Sequence, residues 1–253
     1  MTTTQAPIQF LPYDVQVFDT LPGTNDYLRQ LCHSGNVKEG LVIRALNQTQ
    51  GRGQFDREWF SEPGKNLTLS LLLEPKGIQL KEVFMLSKAM ALAVYHTVAK
   101  LTHQPCSIKW PNDILCGDHK IAGILIENII QGDEIKQSIV GIGLNVNQIH
   151  FATDNHPVSL QSITGQAFDT DAVQEVLLQY IQKFYLELIR HNFKKLETDY
   201  FQFMHKANSE QPFEIQGERC MCRVDSVKED GSIVLIHENK KETYRYGDAR
   251  WIL

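Results

Sequence analysis

The sequence predicts an α+β protein, with strands and helices interleaved over residues 1–209 and a small all-β barrel over residues 210–253. Three observations lead there. The 253 residues are 42% apolar, enough to bury one domain of about 200 residues with a large core and leave a small appendage. Before residue 209, apolar residues recur sometimes at the two-residue period of a strand and sometimes near the 3.6-residue period of a helix. From Pro212 onward only short alternating runs separated by turn residues remain.

In order, Val15 to Asp19 alternates like a short strand, Leu21 to Gly23 turns, and Thr24 is placed to cap a helix through Tyr27, Leu28 and Leu31 that Gly35 ends. Gly40 to Leu46 is strand-like. Pro63-Gly64 turns the chain and Asn66 to Leu73 reads as a largely buried strand. Leu80 to Leu101 carries Val83, Phe84, Ala91, Val94 and Val98 near helical spacing, without Gly or Pro. Ser107 to Trp110 is a short strand stopped by Pro111, and Ile114 to Cys116 turns through Gly117-Asp118 into Lys120 to Glu127. Ser138 to Asn147 is another apolar strand, and Gln148 to Thr170 an irregular connection. Asp171 opens a helix through Leu188, and Leu196 to Met204 forms another. The barrel strands are Phe213 to Ile215, Met221 to Val227, Ser232 to His237 and Glu242 to Tyr246.

A formal charge of −5 gives no global attraction to nucleic acid, so any phosphate binding must come from local cations. Met1 to Gln9 has neither a basic region nor an apolar run, and no later stretch approaches the roughly 20 apolar residues of a membrane span. A cytoplasmic protein without membrane or DNA partners is expected. The five cysteines form an odd set without a CxxC pair, which favours reduced, mostly buried thiols. Cys220 and Cys222 would share one strand face, yet nothing nearby in sequence completes a four-ligand zinc site, and the nine histidines lack HxxxH spacing. No structural transition metal is expected.

The most informative stretch is Gln48 to Trp59. Gly51 and Gly53 flank Arg52 directly after a strand, so backbone and a planar cation can both approach an anionic ligand. Alone, Gly-Arg-Gly more often marks an exposed basic turn. It has company: Lys109-Trp110-Pro111-Asn112-Asp113, then Lys120-Ile121-Ala122-Gly123-Ile124-Leu125-Ile126-Glu127, then Gly141-Ile142-Gly143-Leu144-Asn145-Val146-Asn147.

With these four motifs in this order, from about Phe18 through Asn147, the chain resembles the biotin protein ligase family, in its monofunctional form. The resemblance implies a mixed β-sheet flanked by helices, the biotin/lipoate ligase catalytic fold, with an SH3-like barrel after it. It implies two steps: the biotin carboxylate attacks the α-phosphate of ATP to give biotinyl-adenylate and pyrophosphate, and a lysine of a biotin carboxyl carrier domain then takes the acyl group. Independently, joining two anions needs fixed cations and usually Mg²⁺, with catalysis mainly by positioning and electrostatics.

Carried over by resemblance, Lys120 contacts the carboxylate and developing adenylate, and Arg52 orders the loop over phosphate; these are the expected catalytic pair. Arg57, Trp59, Lys109, Asn112 and Asn145 join them around ATP, Trp59 as a wall beside adenine and Asn112 at its edge. Trp59 and Trp110 could equally be core aromatics. Asp113 is a candidate Mg²⁺ ligand or a turn cap. The biotin ring needs donors and acceptors in a nearly dry pocket, supplied by Thr24, Asn25 and Gln48, with either Thr20 or Thr24 facing it. Gly51, Arg52, Gly53, Gln54 and Lys120 complete the biotin set, and Gly123, Gly141 and Gly143 allow close approach to the sheet.

Two departures stand out. Many members carry Arg and Gly where this chain has Gln54 and Asp56, one cation fewer at the loop. Only some 14 residues precede the first strand, too few for the helix-turn-helix module of repressor-type members, so an enzyme without DNA binding is expected. A homodimer is an open possibility. The rivals are a lipoate or octanoate ligase, against which the Lys109 to Asp113 motif and the Arg52 to Trp59 spacing argue, and a non-catalytic biotin sensor. A thiol-relay octanoyltransferase would need a catalytic cysteine, and Cys106 and Cys116 show no activating partner in the sequence. Arg250, near the chain's end, is a further candidate contact.

Overall fold

The computed structural model describes residues 12–252 except 36 and 152–156, and leaves out the side chain of Asp56. Expectations for Met1 to Gln9, for the charge of Asp56 and for part of the 148–170 connection therefore lie outside the described residues.

Seven strands form one mixed sheet: β1 (Asp14–Leu21), β2 (Leu41–Gln48), β3 (Leu67–Leu73), β4 (Cys106–Lys109), β5 (Asp113–Cys116), β6 (His119–Gln131) and β7 (Glu134–Leu144), in the order β1-β2-β3-β7-β6-β5-β4. Only β1 and β2 run parallel, joined by α1 (Thr24–Ser34); every other pairing is antiparallel. A helical crossover is what a parallel pair requires. α2 (Val83–Thr102) and α4 (Thr170–Ile189) cover one face, and α1 covers part of the other. β3 shows why the sheet is two-sided: Leu67, Leu69, Leu71 and Leu73 enter the α2 side, while Thr68 and Ser70 alternate onto the α1 side. α2 is buried nearly all round by the sheet, α4 and the barrel, and it carries Lys88 with it. Among the described residues no helix is long and apolar enough to cross a membrane.

The second sheet comprises β8 (Gln211–Ile215), β9 (Glu218–Val227), β10 (Ile233–His237), β11 (Lys240–Tyr244) and β12 (Ala249–Trp251), all antiparallel, as an SH3-like unit requires. Three polar contacts fix it to the main domain: Lys88 Nζ donates to the Val227 carbonyl at 2.7 Å, Trp110 Nε1 to Gly231 at 3.0 Å, and the Phe84 amide to Glu229 at 2.9 Å. Gly231 is at φ +91, and a Cβ there would stand 2.7 Å from Phe84 Cδ2, so only glycine fits the turn beneath α2. Trp110 is 2% exposed; of its two possible roles the structure gives it the one in the core.

Several boundaries differ from the sequence expectation. Gly23, not Thr24, is the N-cap of α1. β6 and β7 form a long hairpin reaching Gln131 and Glu134, because their outer halves pair with each other and need no apolar pattern to do so. Asn145 to Asn147 lie beyond β7. The connection expected to be irregular contains α3 (Leu160–Thr164), capped by Ser159 and anchored by buried Leu160. α4 starts at Thr170 after Asp169, and α5 (Phe193–Gln202) begins before Leu196. Cys106 and Cys116 have a partner after all: they face each other across β4 and β5, 2.7 Å apart, and the contact with Cys116 holds the Cys106 thiol below its usual value.

Candidate active site

The α1 face of the sheet is floored by glycines. Gly141 and Gly143 of β7 pair with Leu125 and Gly123 of β6 on one side and with Ser70 and Thr68 of β3 on the other. A Cβ at Gly141 would stand 3.0 Å from Asn25 Cγ, and one at Gly143 2.5 Å from Trp59 Cζ2. The missing side chains are therefore already replaced, by the start of α1 at one end and by an indole at the other.

At the first end a buried hydrogen-bond chain runs through Gln48, Thr24, Ser70, Asn25 and Glu127. Gln48 Oε1 accepts from the Thr24 amide at 2.8 Å and the Thr24 hydroxyl at 3.1 Å. The Ser70 hydroxyl lies 2.6 Å from both Thr24 Oγ1 and Asn25 Oδ1. Asn25 Nδ2 donates to Glu127 Oε2 at 2.8 Å and to the Leu125 carbonyl at 3.3 Å, and Arg29 pairs with the other Glu127 oxygen. Thr24, Asn25 and Ser70 are 4%, 8% and 0% exposed, so the polar atoms are held by protein rather than solvent. Thr20 is exposed on β1 beside Asn47; Thr24 is the threonine of the trough.

At the other end the Gly51 to Trp59 loop folds on itself. The Trp59 amide donates to Gly51 at 2.9 Å, Gly53 donates to Arg57 at 2.6 Å, and Arg52 bridges Glu58 in a short antiparallel contact. Trp59 is thereby laid along Gly123 and Gly143, with its Nε1 buried and without a hydrogen-bond partner among the described residues. Lys120 Nζ sits 5.5 Å over the Trp59 ring and 2.6 Å from Asp113 Oδ1. Arg52 pairs with Asp26 of α1, Nη2 to Oδ1 and Nε to Oδ2.

Cations gather around Asp113. Burial pushes the Lys109 amine below its ordinary value, Asp113 opposes the fall, and the like charges of Lys120, Arg57 and Arg250 add to it. Arg250, from β12, is thus within the field of this cluster while paired with Glu214 at 2.5 Å. Asn112 Nδ2 donates to the Ile124 carbonyl at 2.9 Å and lines a cavity of about 480 Å³ between the main domain and the barrel, with Gln54, Phe84, Pro111 and Tyr246. Gln54 Oε1 is buried without a partner among the described residues, and Phe55 stacks on Tyr246 at 4.9 Å, which docks the loop against the barrel. Asn145 is different: it is 3% exposed and gives its amide to Val158, whose own N–H bonds the Lys120 carbonyl.

The fold therefore brings together Thr24, Asn25, Gln48 and Gly141 at one end of the trough, and Arg52, Trp59, Lys120, Asp113, Gly123 and Gly143 at the other. Gly51, Gly53 and Arg57 shape the loop between the trough and the barrel. Ser70, Asp26, Arg29 and Glu127 escaped the sequence reading. Ser70 had a signal, a hydroxyl two residues from Thr68 in an otherwise all-leucine strand; Glu127 closes the Lys120 motif; Asp26 and Arg29 carried none, being ordinary charges on the first turns of a helix.

Residues 17–145 match the sequence model of the biotin/lipoate A/B protein ligase family. The bifunctional ligase/repressor BirA of Bacillus subtilis is 33% identical over 183 residues, covering 71% of this chain and 56% of that protein. The biotin--[acetyl-CoA-carboxylase] ligase of Paracoccus denitrificans is 34% identical over 164 residues, covering 62% of this chain and 67% of that protein. The chain thus spans little more than half the length of some curated relatives. Among solved structures, the biotin protein ligase from Aquifex aeolicus in complex with biotin and ATP superposes with a TM-score of 0.79 at 25% identity, over 94% of this chain and 98% of that one.

Proposed function

Because the chain belongs to the biotin/lipoate A/B protein ligase family, we propose that it is an ATP-dependent biotin protein ligase, with residues 1–209 as the catalytic domain and 210–253 as the barrel. The observation that carries this reading is the two-ended trough: a buried network of amides and hydroxyls, anchored by Glu127, over Gly141, and a cation-lined end over Gly123 and Gly143. A biotin molecule has the matching polarity, a ureido ring that both donates and accepts and a carboxylate at the end of an apolar chain.

In this reading Thr24, Asn25, Gln48 and Ser70 hold the ring, and Ser70 with Glu127 fixes which way the Asn25 amide faces. Lys120, kept over Trp59 and beside Asp113, neutralises the carboxylate and then the charge developing on the α-phosphoryl group. A carboxylate oxygen attacks the α-phosphorus, the bond to the bridging oxygen breaks, and pyrophosphate leaves. Arg52 exchanges Asp26 for phosphate, a bidentate anion swap suited to a guanidinium. Asn112, Gln54 and Tyr246 line the space for the nucleoside. The carrier lysine amine then attacks the acyl carbon and AMP leaves, with Lys120 still beside the departing phosphate.

For Mg²⁺, Asp113 offers Oδ2 while Oδ1 pairs with Lys120, which fits an ion arriving on the triphosphate and taking one protein oxygen. Held by Asp113, it would offset the negative charge of the triphosphate. The carrier is a biotin carboxyl carrier domain; the cysteines, all free, support a cytoplasmic setting, and the charge of −5 an enzyme without DNA or membrane partners. Edge strand β1, with Val17 53% exposed, is a surface on which two copies could pair. ATP–pyrophosphate exchange measured with biotin and with lipoate tests the reading. Exchange should depend on biotin and favour it by at least about 100-fold, because lipoate leaves the buried amides unpaired. Equal exchange with both acids would make this a lipoate-type ligase, and none with either a sensor.

A further inference from the structure

The barrel carries a group of soft ligands outside the trough. Cys220 and Cys222 of β9 are two residues apart, so their side chains share a strand face, and their sulfurs lie 3.4 Å apart. β10 runs antiparallel beside β9 with Ile236 opposite Arg223, so the next step of that register sets His237 opposite Cys222. A ring nitrogen of His237 and both sulfurs lie within 4.8 Å of one another. Sequence spacing offered no third ligand; the strand register supplies it.

One further detail points to a cation. His237 Nδ1 is 2.9 Å from the Met221 carbonyl, an acceptor only, so Nδ1 carries the proton and Nε2, 3.9 Å from a Glu238 carboxylate oxygen, keeps its lone pair and must turn from that neighbour to ligate. A histidine tied to a backbone carbonyl through one nitrogen is oriented to ligate through the other. Tetrahedral zinc, with bonds of about 2.3 Å to sulfur and about 2.0 Å to nitrogen, sets its sulfurs about 3.7 Å apart and each about 3.5 Å from the nitrogen. The two sulfurs, 3.4 Å apart, already stand near this spacing, and the ring nitrogen is within 4.8 Å of both.

We propose that Cys220, Cys222 and His237 bind a zinc ion. Both thiols bind as thiolates and release their protons to solvent, the two charges balance Zn²⁺, and water takes the fourth position. The site clips β10 to β9 at the end of a barrel of few residues, where a metal supplies stability that a small core does not.

The test uses the full chain, reduced with a phosphine, stripped with a chelator and titrated with Co²⁺. About one equivalent should bind with thiolate-to-cobalt charge-transfer bands and intense tetrahedral visible absorption; Zn²⁺ should displace it and raise the melting temperature. His237→Gln and Cys220→Ser should each weaken binding at least about tenfold, whereas replacing Cys32, Cys106 and Cys116 together by serine should leave the spectrum unchanged. His237 is 45% exposed, so its variant decides the matter if Cys220→Ser misfolds. No thiolate–cobalt band, an unaltered band in His237→Gln, or its loss with Cys106 and Cys116 would overturn the proposal.

Discussion

Replacing Gly141 by alanine should damage biotin binding through one side chain. Its backbone is outside the left-handed region, so the perturbation is steric. The new Cβ would stand 3.0 Å from Asn25 Cγ and 3.1 Å from Nδ2, where carbon contacts settle at about 3.5 to 4.0 Å. The amide must retreat by about half an ångström or more, and its bonds to Ser70 at 2.6 Å and Glu127 at 2.8 Å stretch or break. A neutral hydrogen bond is worth about 1 kcal/mol and one to a charged group about 1.5 to 3, so about 3 to 4 kcal/mol is at stake, or roughly 100- to 1000-fold in affinity. Calorimetric titration with biotin in the absence of ATP reads this directly. A double-mutant cycle isolates the cause: once Asn25→Ala has removed the clashing group, adding Gly141→Ala should cost almost nothing more. Biotin affinity within threefold of wild type in the single variant, or strictly additive losses in the double, would refute the argument.

Lys120→Ala should keep its fold and lose about 2 to 4 kcal/mol of transition-state stabilisation, seen as roughly 30- to 1000-fold slower biotin-dependent pyrophosphate release; release at the wild-type rate would remove Lys120 from the chemistry. Gln54→Ala deletes a buried carbonyl facing the Asn112 and Tyr246 cavity, so free biotinyl-adenylate should escape faster in rapid filtration, and unchanged retention would leave the loop's closure to Arg52 and Trp59. Burial and the charge of Lys206 push His205 down to about 4, so it is neutral in the fold at pH 7. Between about pH 6.5 and about 4 the unfolded chain binds a proton that the native state does not, so stability present above pH 6.5 is lost as pH falls, by up to about 3 kcal/mol. Denaturant melts at pH 7 and pH 4.5 should show a shallower acid loss in His205→Gln; an identical loss would place the sensitivity elsewhere.

Much of this protein was open to reading from its residues because they act locally or in linear order. Leucines at every second position of 67–73 make β3, apolar residues near helical spacing over 83–102 without Gly or Pro make α2, and the four motifs stand out by their order along the chain. Lys120 and Asp113, seven residues apart, meet because they stand on neighbouring antiparallel strands.

What the tertiary structure decided was which groups meet across long separations. Gln48, Thr24, Ser70, Asn25 and Glu127 come from four elements and form one network only because β3 lies beside β7, an order that strand pairing sets and sequence distance does not. The sequence left Thr20 and Thr24 as equals; the structure leaves Thr20 exposed on β1 and buries Thr24 as the first residue of α1. It also could not show that Trp110 serves the barrel contact while Trp59 fills the trough, since both are tryptophans beside polar loops and only the surrounding backbone separates them. His237 belongs to the same lesson: one step of antiparallel register beyond Ile236 sets it opposite Cys222, although the two are fifteen residues apart in the chain. Periodicity and motif order are properties of the chain itself, whereas a hydrogen-bond partner or a ligand neighbour is a property of the packed sheet.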